Sequence, residues 1–229
     1  MYNMSTQKIT KGLTIGLLLF VAACGGCDKE ADKEELPAAD TISLSENSEV
    51  YATWDELYSL DDPAFSVDSF IKNDTVKNEL FTTGFTPSDS FYNRFGRLLV
   101  YNGDSSMFID AYSTAWIIEP GKGGSLYARE GEVDQEVTVV NTKTNKRTRL
   151  LFCGPSCQFQ KAFWYNEDIV GVMGMMAEYS DEYYTPAIWF VNIHNGNTIP
   201  YYYHSGISIV SAQDYMRRHM ESRGIKLED

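Results

Sequence analysis

Basic side chains are scarce. Lys plus Arg total 19 against 32 Asp plus Glu in 229 residues, a formal charge of −13. A field of that sign repels polyanions, which excludes general binding of nucleic acid. Histidine is scarcer still, with three copies, and His194, His204 and His219 stand at no spacing that suits zinc. No metal site is expected. The chain also lacks a Gly-x-Ser-x-Gly elbow. Its glycine-rich stretch at 121–125 (GKGGS) lacks the spacing of a phosphate loop, so it reads as a flexible loop and no cofactor is expected. Glycine and proline, at 17 and 7 residues, are too few for collagen. No heptad repeat supports a coiled coil. What is present, 43% hydrophobic and 14% aromatic residues, is globular composition for one domain or two small ones.

Lys8 and Lys11 precede an apolar run at 13–23 (LTIGLLLFVAA). As a helix it would cover about 16 Å against a hydrocarbon core of about 30 Å, too short to span. A basic start, a short apolar core and small residues before a break mark a removable export signal. Val21-Ala22-Ala23-Cys24 resembles the lipobox of bacterial lipoproteins. The resemblance implies a signal peptide at 1–23, cleaved before Cys24, and lipidation of Cys24 as the mature N-terminus. An uncleaved anchor or an ordinary secretory signal is the alternative.

Gly25-Gly26-Cys27 and the acidic stretch DKEADKEE follow. Such a segment buries too little apolar surface to fold and is expected to be a flexible tether at 24–48. Its end-to-end distance as a random chain is on the order of 27 Å. Removal of the signal takes away two lysines and no acid, leaving −15. An acidic run directly after the lipidated cysteine is similar to the export signal of Gram-negative lipoproteins that reach the outer face of the outer membrane. That likeness implies a bacterial outer-membrane protein held by its N-terminal lipid and facing the cell surface. The alternatives are the periplasmic face and a plain solvated linker.

The rest, 49–229, reads as a single mainly β domain of the α+β class. Trp54, Leu57 and Tyr58, then Phe65, Phe70, Ile71, Leu80 and Phe81, fit short helical turns, with Asp62-Pro63 and Thr86-Pro87 as starts. From residue 97 on, β-branched and aromatic residues predict strands at 97–101, 106–112, 114–118, 135–141, 148–152, 162–165, 169–175, 187–193 and 198–204. Hairpins turn at 142–146 and at His194-Asn195-Gly196-Asn197. Ser211 and Asp214 fit the cap of a C-terminal helix whose apolar face carries Tyr215, Met216, His219 and Met220 and which ends near Gly224.

Val140-Asn141 aligns with Val191-Asn192 at an offset of 51, and Ala115-Trp116 and Ala162-Phe163-Trp164 lie upstream. Antiparallel sheets built from two blade-like hairpin units of about fifty residues are expected, with coincidence as the alternative. The second unit resembles a β-propeller blade; two copies fall short of a closed ring.

Cys153-Gly154-Pro155-Ser156-Cys157 places a turn between two cysteines of an exported chain. Three readings stand: a disulfide, two unpaired thiols, or a redox-active pair. The segment resembles the thioredoxin Cys-Gly-Pro-Cys motif, and Thr185-Pro186 imitates that family's proline loop. A third residue separates the cysteines here, however, and Leu151-Phe152 replaces the usual Trp. Cys27 is left odd and without an expected role. Tyr183, Tyr184 and Tyr202 are the candidate ligand-binding rings, since neighbouring residues of a strand face opposite ways and some must reach solvent. The expected role is a non-catalytic binding module for a glycan or an envelope protein. The alternatives are an envelope hydrolase using a carboxylate pair and a structural component of an envelope complex.

Overall fold

The computed structural model describes residues 42–177 and 182–228. The signal, the lipobox with Cys24, and most of the acidic segment lie outside them. Packing reaches back to Ile42, which is buried. A 3-10 turn at Leu44–Asn47 leads into α1 (Ser48–Tyr58), whose Tyr51, Trp54, Leu57 and Tyr58 recur at helical spacing and are all buried. Asp62 Oδ1 accepts the Ala64 N–H, so Asp62-Pro63 makes a turn rather than a helix start.

A 3-10 turn at Val67–Ser69 lies between Phe65 and Phe70, as expected, but the rest of the stretch expected to form helical turns forms three short strands instead. These are β1 (Ile71–Lys72), β2 (Val76–Lys77) and β3 (Phe81–Gly84). Lys72 to Glu79 supplies too few apolar residues for a helical stripe, and edge pairing with longer strands decides the outcome. Helix α2 (Asp89–Phe95) follows Thr86-Pro87 as expected, with Ser88 accepting the Phe91 N–H. Then come β4 (Val100–Tyr101), β5 (Met107–Asp110), β6 (Trp116–Pro120), β7 (Leu126–Glu130), β8 (Gln135–Asn141), β9 (Lys146–Cys153), β10 (Cys157–Trp164), β11 (Ile169–Ala177), β12 (Tyr183–Asn192), β13 (Asn197–Tyr202), β14 (Ile207–Ser208), α3 (Ile209–Ser222) and β15 (Ile225–Leu227). The cap of α3 is Ser208, three residues before the expected one, and it accepts the Ser211 N–H. Gly224, with φ 70°, supplies the left-handed residue beyond its end.

The structure is thus mainly antiparallel β with short helices near the start and one at the C-terminus, as the sequence implies. One sheet runs β3-β9-β8-β5-β4, a second β1-β13-β12-β11-β10 with β2 and β14 appended, and a third β15-β7-β6 with a parallel β15–β7 pair. Two four-stranded meanders stand out: β4-β5-β8-β9 and β10-β11-β12-β13. Their final turns match in detail. Asn141 Oδ1 accepts the Lys143 and Thr144 N–H groups, and Asn192 Oδ1 accepts those of His194 and Asn195. The left-handed residues Asn145 (φ 51°) and Gly196 (φ 74°) occupy equivalent places. Each turn is also tied to the tip of the preceding hairpin, Thr142 N–H to Ser106 O and Ile193 N–H to Asp168 O, both at 3.0 Å. The tryptophan landmarks are not equivalent. Trp116 opens β6, in the β6–β7 hairpin inserted between β5 and β8, whereas Trp164 closes β10.

The two turns predict different sensitivities. A Cβ at Gly196 would be strained by the positive φ and would run into the Asn78 carbonyl. Gly196→Ala is expected to lower stability by about 2 kcal/mol or more, whereas Asn145→Gly relieves its strain and changes stability by less than about 1 kcal/mol. Urea unfolding of the two variants checks both.

Candidate functional site

One residue of β10 organises the surroundings of the site. The β10–β11 register slips between Phe159 and Lys161, leaving Gln160 as the extra residue of a β-bulge, fully buried. Its Oε1 accepts from Trp54 Nε1 and Tyr58 Oη, both at 2.9 Å, and its Nε2 donates to Ala212 O at 3.3 Å. Its backbone carbonyl accepts from Tyr112 Oη at 2.8 Å. Gln160 therefore pins α1 and α3 to the sheet. Tyr112 is aimed by a turn in which buried Asp110 accepts the Tyr112 and Ser113 N–H groups and the Ser113 hydroxyl, while Arg147 meets the charge at 3.3 Å. Gln135, next along, joins β8 to β10 by accepting from Phe159 N–H at 2.8 Å and donating to Phe159 O at 2.9 Å.

The cysteine pair sits where the two meanders meet. Cys153 ends β9 and Cys157 begins β10; they are disulfide-bonded, with Cα atoms 5.7 Å apart. Thr185-Pro186 is not a loop facing them. Pro186 lies inside β12, paired with Met175, and β11 stands between β12 and the cysteines. The thioredoxin-like arrangement is therefore absent, and the bond closes the link between the two meanders.

Beside this loop is a groove of about 250 Å³. Trp116 and Met175 lie at its base, and Tyr184, Val133, Gln158 and Gln213 line it, with Glu130 from the end of β7, Glu132 from the link between β7 and β8, and Pro155 and Cys157 from the disulfide loop. Tyr184 is half-exposed, Trp116 is 6% exposed, and Val133 is exposed. The groove thus offers one accessible ring, an apolar base, two carboxylates and three amides, of which that of Gln135 is already bonded to Phe159.

The three candidate tyrosines do not form one patch. Tyr184 enters the groove. Tyr183, paired with Ser208 and 50% exposed, points to the opposite face of β12, as strand alternation requires. Tyr202 pairs with Ala187, meets the Trp189 ring and lines a separate shallow recess with Lys72 and Pro200. Sequence reasoning missed Gln158 and Gln213, and it used Trp116 only as a repeat landmark. They share no local signal: Gln158 lies in β10, Gln213 on the exposed side of the amphipathic α3 and Trp116 at the start of β6, and nothing near any of them in the sequence reveals that they converge.

The histidines stay apart. His194 bonds Asp168 at 2.9 Å on the surface, and His204 is exposed. Among the described residues no group of three or more His, Cys, Asp or Glu side chains stands ready to hold a metal ion, and no helix is long and apolar enough to cross a membrane. His219 is half-buried on α3, hydrogen-bonded to Tyr112 Oη at 2.9 Å and stacked on Tyr215. Burial first, then the charges of Lys161 and Arg223, push its pKa down to about 4. Burial likewise raises the Tyr112 and Tyr58 hydroxyls. It also raises the carboxyl of Asp55, on α1 and outside the groove.

No protein-family model, curated protein or solved structure matches the chain.

Truncating Gln160→Ala strips the partners of Trp54, Tyr58 and Ala212 in the core and is expected to lower stability by about 3 kcal/mol or more, read by thermal unfolding. His219 sets a pH dependence. Its folded pKa lies below the unfolded value of about 6.5, so the unfolded chain binds the proton first. Stability is full above about pH 6.5 and falls as the pH drops toward 4, by on the order of 2 kcal/mol, because the ring is partly open to solvent. His219→Gln is expected to remove that share of the slope. The difference between the two unfolding-versus-pH curves isolates it from the carboxylates.

Proposed function

We propose that the chain is a lipid-anchored binding module of the bacterial cell envelope, tethered by Cys24 to the outer membrane and facing the cell surface. Its ligand is a glycan held in the groove beside the disulfide loop. The observation that carries this reading is the union of the Tyr184 ring with the amides of Gln158 and Gln213 and the carboxylates of Glu130 and Glu132. A sugar presents an apolar C–H face that stacks on a ring and hydroxyls that bond amides and carboxylates. The lipobox-like segment and the acidic stretch behind it support the location. The disulfide agrees with an exported chain.

A second reading, an envelope glycoside hydrolase, is favoured by one observation: Glu130 and Glu132 both line the same groove.

A glycan array probed with the full chain is expected to yield a binder whose affinity falls about tenfold in Tyr184→Ala and stays unchanged in Tyr202→Ala. An empty array, or equal affinity in both variants, removes the groove as the site. Cleavage of the bound glycan, lost in Glu130→Gln or Glu132→Gln while binding persists, selects the hydrolase.

A further inference from the structure

The chain is strongly acidic, yet one recess on it is basic. Between α1, α3 and β10 lies a cavity of about 440 Å³ lined by Lys161, Arg218, His219 and Arg223, and Glu56 is the one carboxylate among its lining residues. Glu56 is already held by Arg218 at 2.9 Å. With His219 neutral, three cations against one carboxylate leave two positive charges in the recess, on a molecule with 32 acidic residues. The partial negative charge at the C-terminal end of α3 offsets about half of one.

The two remaining cations have donors to spare. Lys161 Nζ donates to Val50 O at 2.9 Å, which uses one of its three protons. The Arg223 guanidinium has no hydrogen-bond or ion-pair partner among the described residues. Helical spacing makes the cluster: Arg218, His219, Ser222 and Arg223 fall one turn apart on α3. Lys161 follows the Gln160 bulge directly, so the residue that anchors α3 also sets the lysine beneath it. Thr53 adds a hydroxyl from α1. The mutual repulsion is visible in the groups themselves: Lys161 is held below its ordinary pKa, by burial first and by Arg223 second.

We propose that this recess binds the phosphate or sulfate group of an anionic ligand, with Arg223 and Lys161 as the principal contacts. An arginine fork matches two oxygens of a tetrahedral oxyanion, and the lysine serves as a point charge beside it. The recess is larger than a bare ion and open to solvent, which leaves room beside the oxyanion for the organic part of an ester. This site is separate from the groove that holds Tyr184, and it does not rest on the glycan reading.

The test uses the full chain with inorganic phosphate and with glycerol phosphate, followed by calorimetric titration and thermal unfolding against chloride at matched ionic strength. Phosphate is expected to raise the unfolding temperature where chloride does not. Arg223→Gln, an exposed change at the end of α3, is expected to weaken binding about tenfold or more, and the charge-matched Arg129→Gln on β7 to leave it unchanged. Vesicles of phosphatidylcholine with and without phosphatidylglycerol separate the source. Binding to the free ester alone places the ligand in solution, and added affinity for the phosphatidylglycerol vesicles, lost in Arg223→Gln, places it in a lipid headgroup. Equal effects of phosphate and chloride, or equal weakening by Arg223→Gln and Arg129→Gln, overturn the proposal.

Discussion

A single inserted residue in β10 holds the helices to the sheet. Without the bulge, Gln160 would alternate in step with its neighbours; with it, the amide turns into the space between α1 and α3 and meets an indole, a phenol and a backbone carbonyl there. An amide in that position is tolerable only because each of its polar atoms has a partner, and the same satisfaction makes the arrangement unique. Aromatic packing fills the remaining volume. Trp54, Tyr58, Phe65, Phe70, Tyr203 and Tyr215 contact one another through edge-on and tilted rings around the amide. The apolar contacts supply most of the burial, and the amide decides where the helices sit along β10.

Both recesses depend on that placement. The N-terminal half of α3, through Ala212 and Gln213, walls the groove beside the disulfide; its C-terminal half, through His219 and Arg223, walls the basic recess. One helix thus carries an amide toward one site and cations toward the other. The β6–β7 hairpin and its link to β8, inserted between the second and third strands of the first meander, close the groove with Glu130, Glu132 and Val133. In the second meander β11 and β12 are separated by only five residues, a length that holds no such hairpin. The asymmetry between two otherwise similar units creates the concave surface, as loops on a repeated scaffold commonly do.

Much of the second half of the chain was legible in order. β8 was readable to the residue, and β9, β11 and β13 to within two residues at either end, because alternating apolar residues bounded by Asn-rich turns are local signals; β12 starts at Tyr183, four residues before the expected strand. The offset of 51 between Asn141 and Asn192 reflected a real equivalence of turn geometry, since an Asn at that place caps the turn through its own side chain. The Trp landmarks did not correspond, because an indole packs wherever a large volume must be filled and marks no fixed backbone position. The strands β1, β2, β14 and β15 were not legible: two or three residues carry no period, and they exist only because a longer neighbour offers free backbone groups. β7 was hidden by its charged end, Arg129-Glu130, which faces solvent.

The sequence alone determined the apolar alternation of the long strands, the turn residues between them, the amphipathic C-terminal helix and the acidic balance of the whole. Each is a property of residues within a few positions of one another, where backbone periodicity and turn chemistry act. Only the tertiary structure decided that Gln160 would be a bulge, that Tyr184 would share a groove with Trp116 and Gln213 while Tyr183 and Tyr202 would not, and that Lys161 would lie under Arg218 and Arg223. These side chains come from elements tens to a hundred residues apart, and what brings them together is the burial of surfaces that no single segment contains.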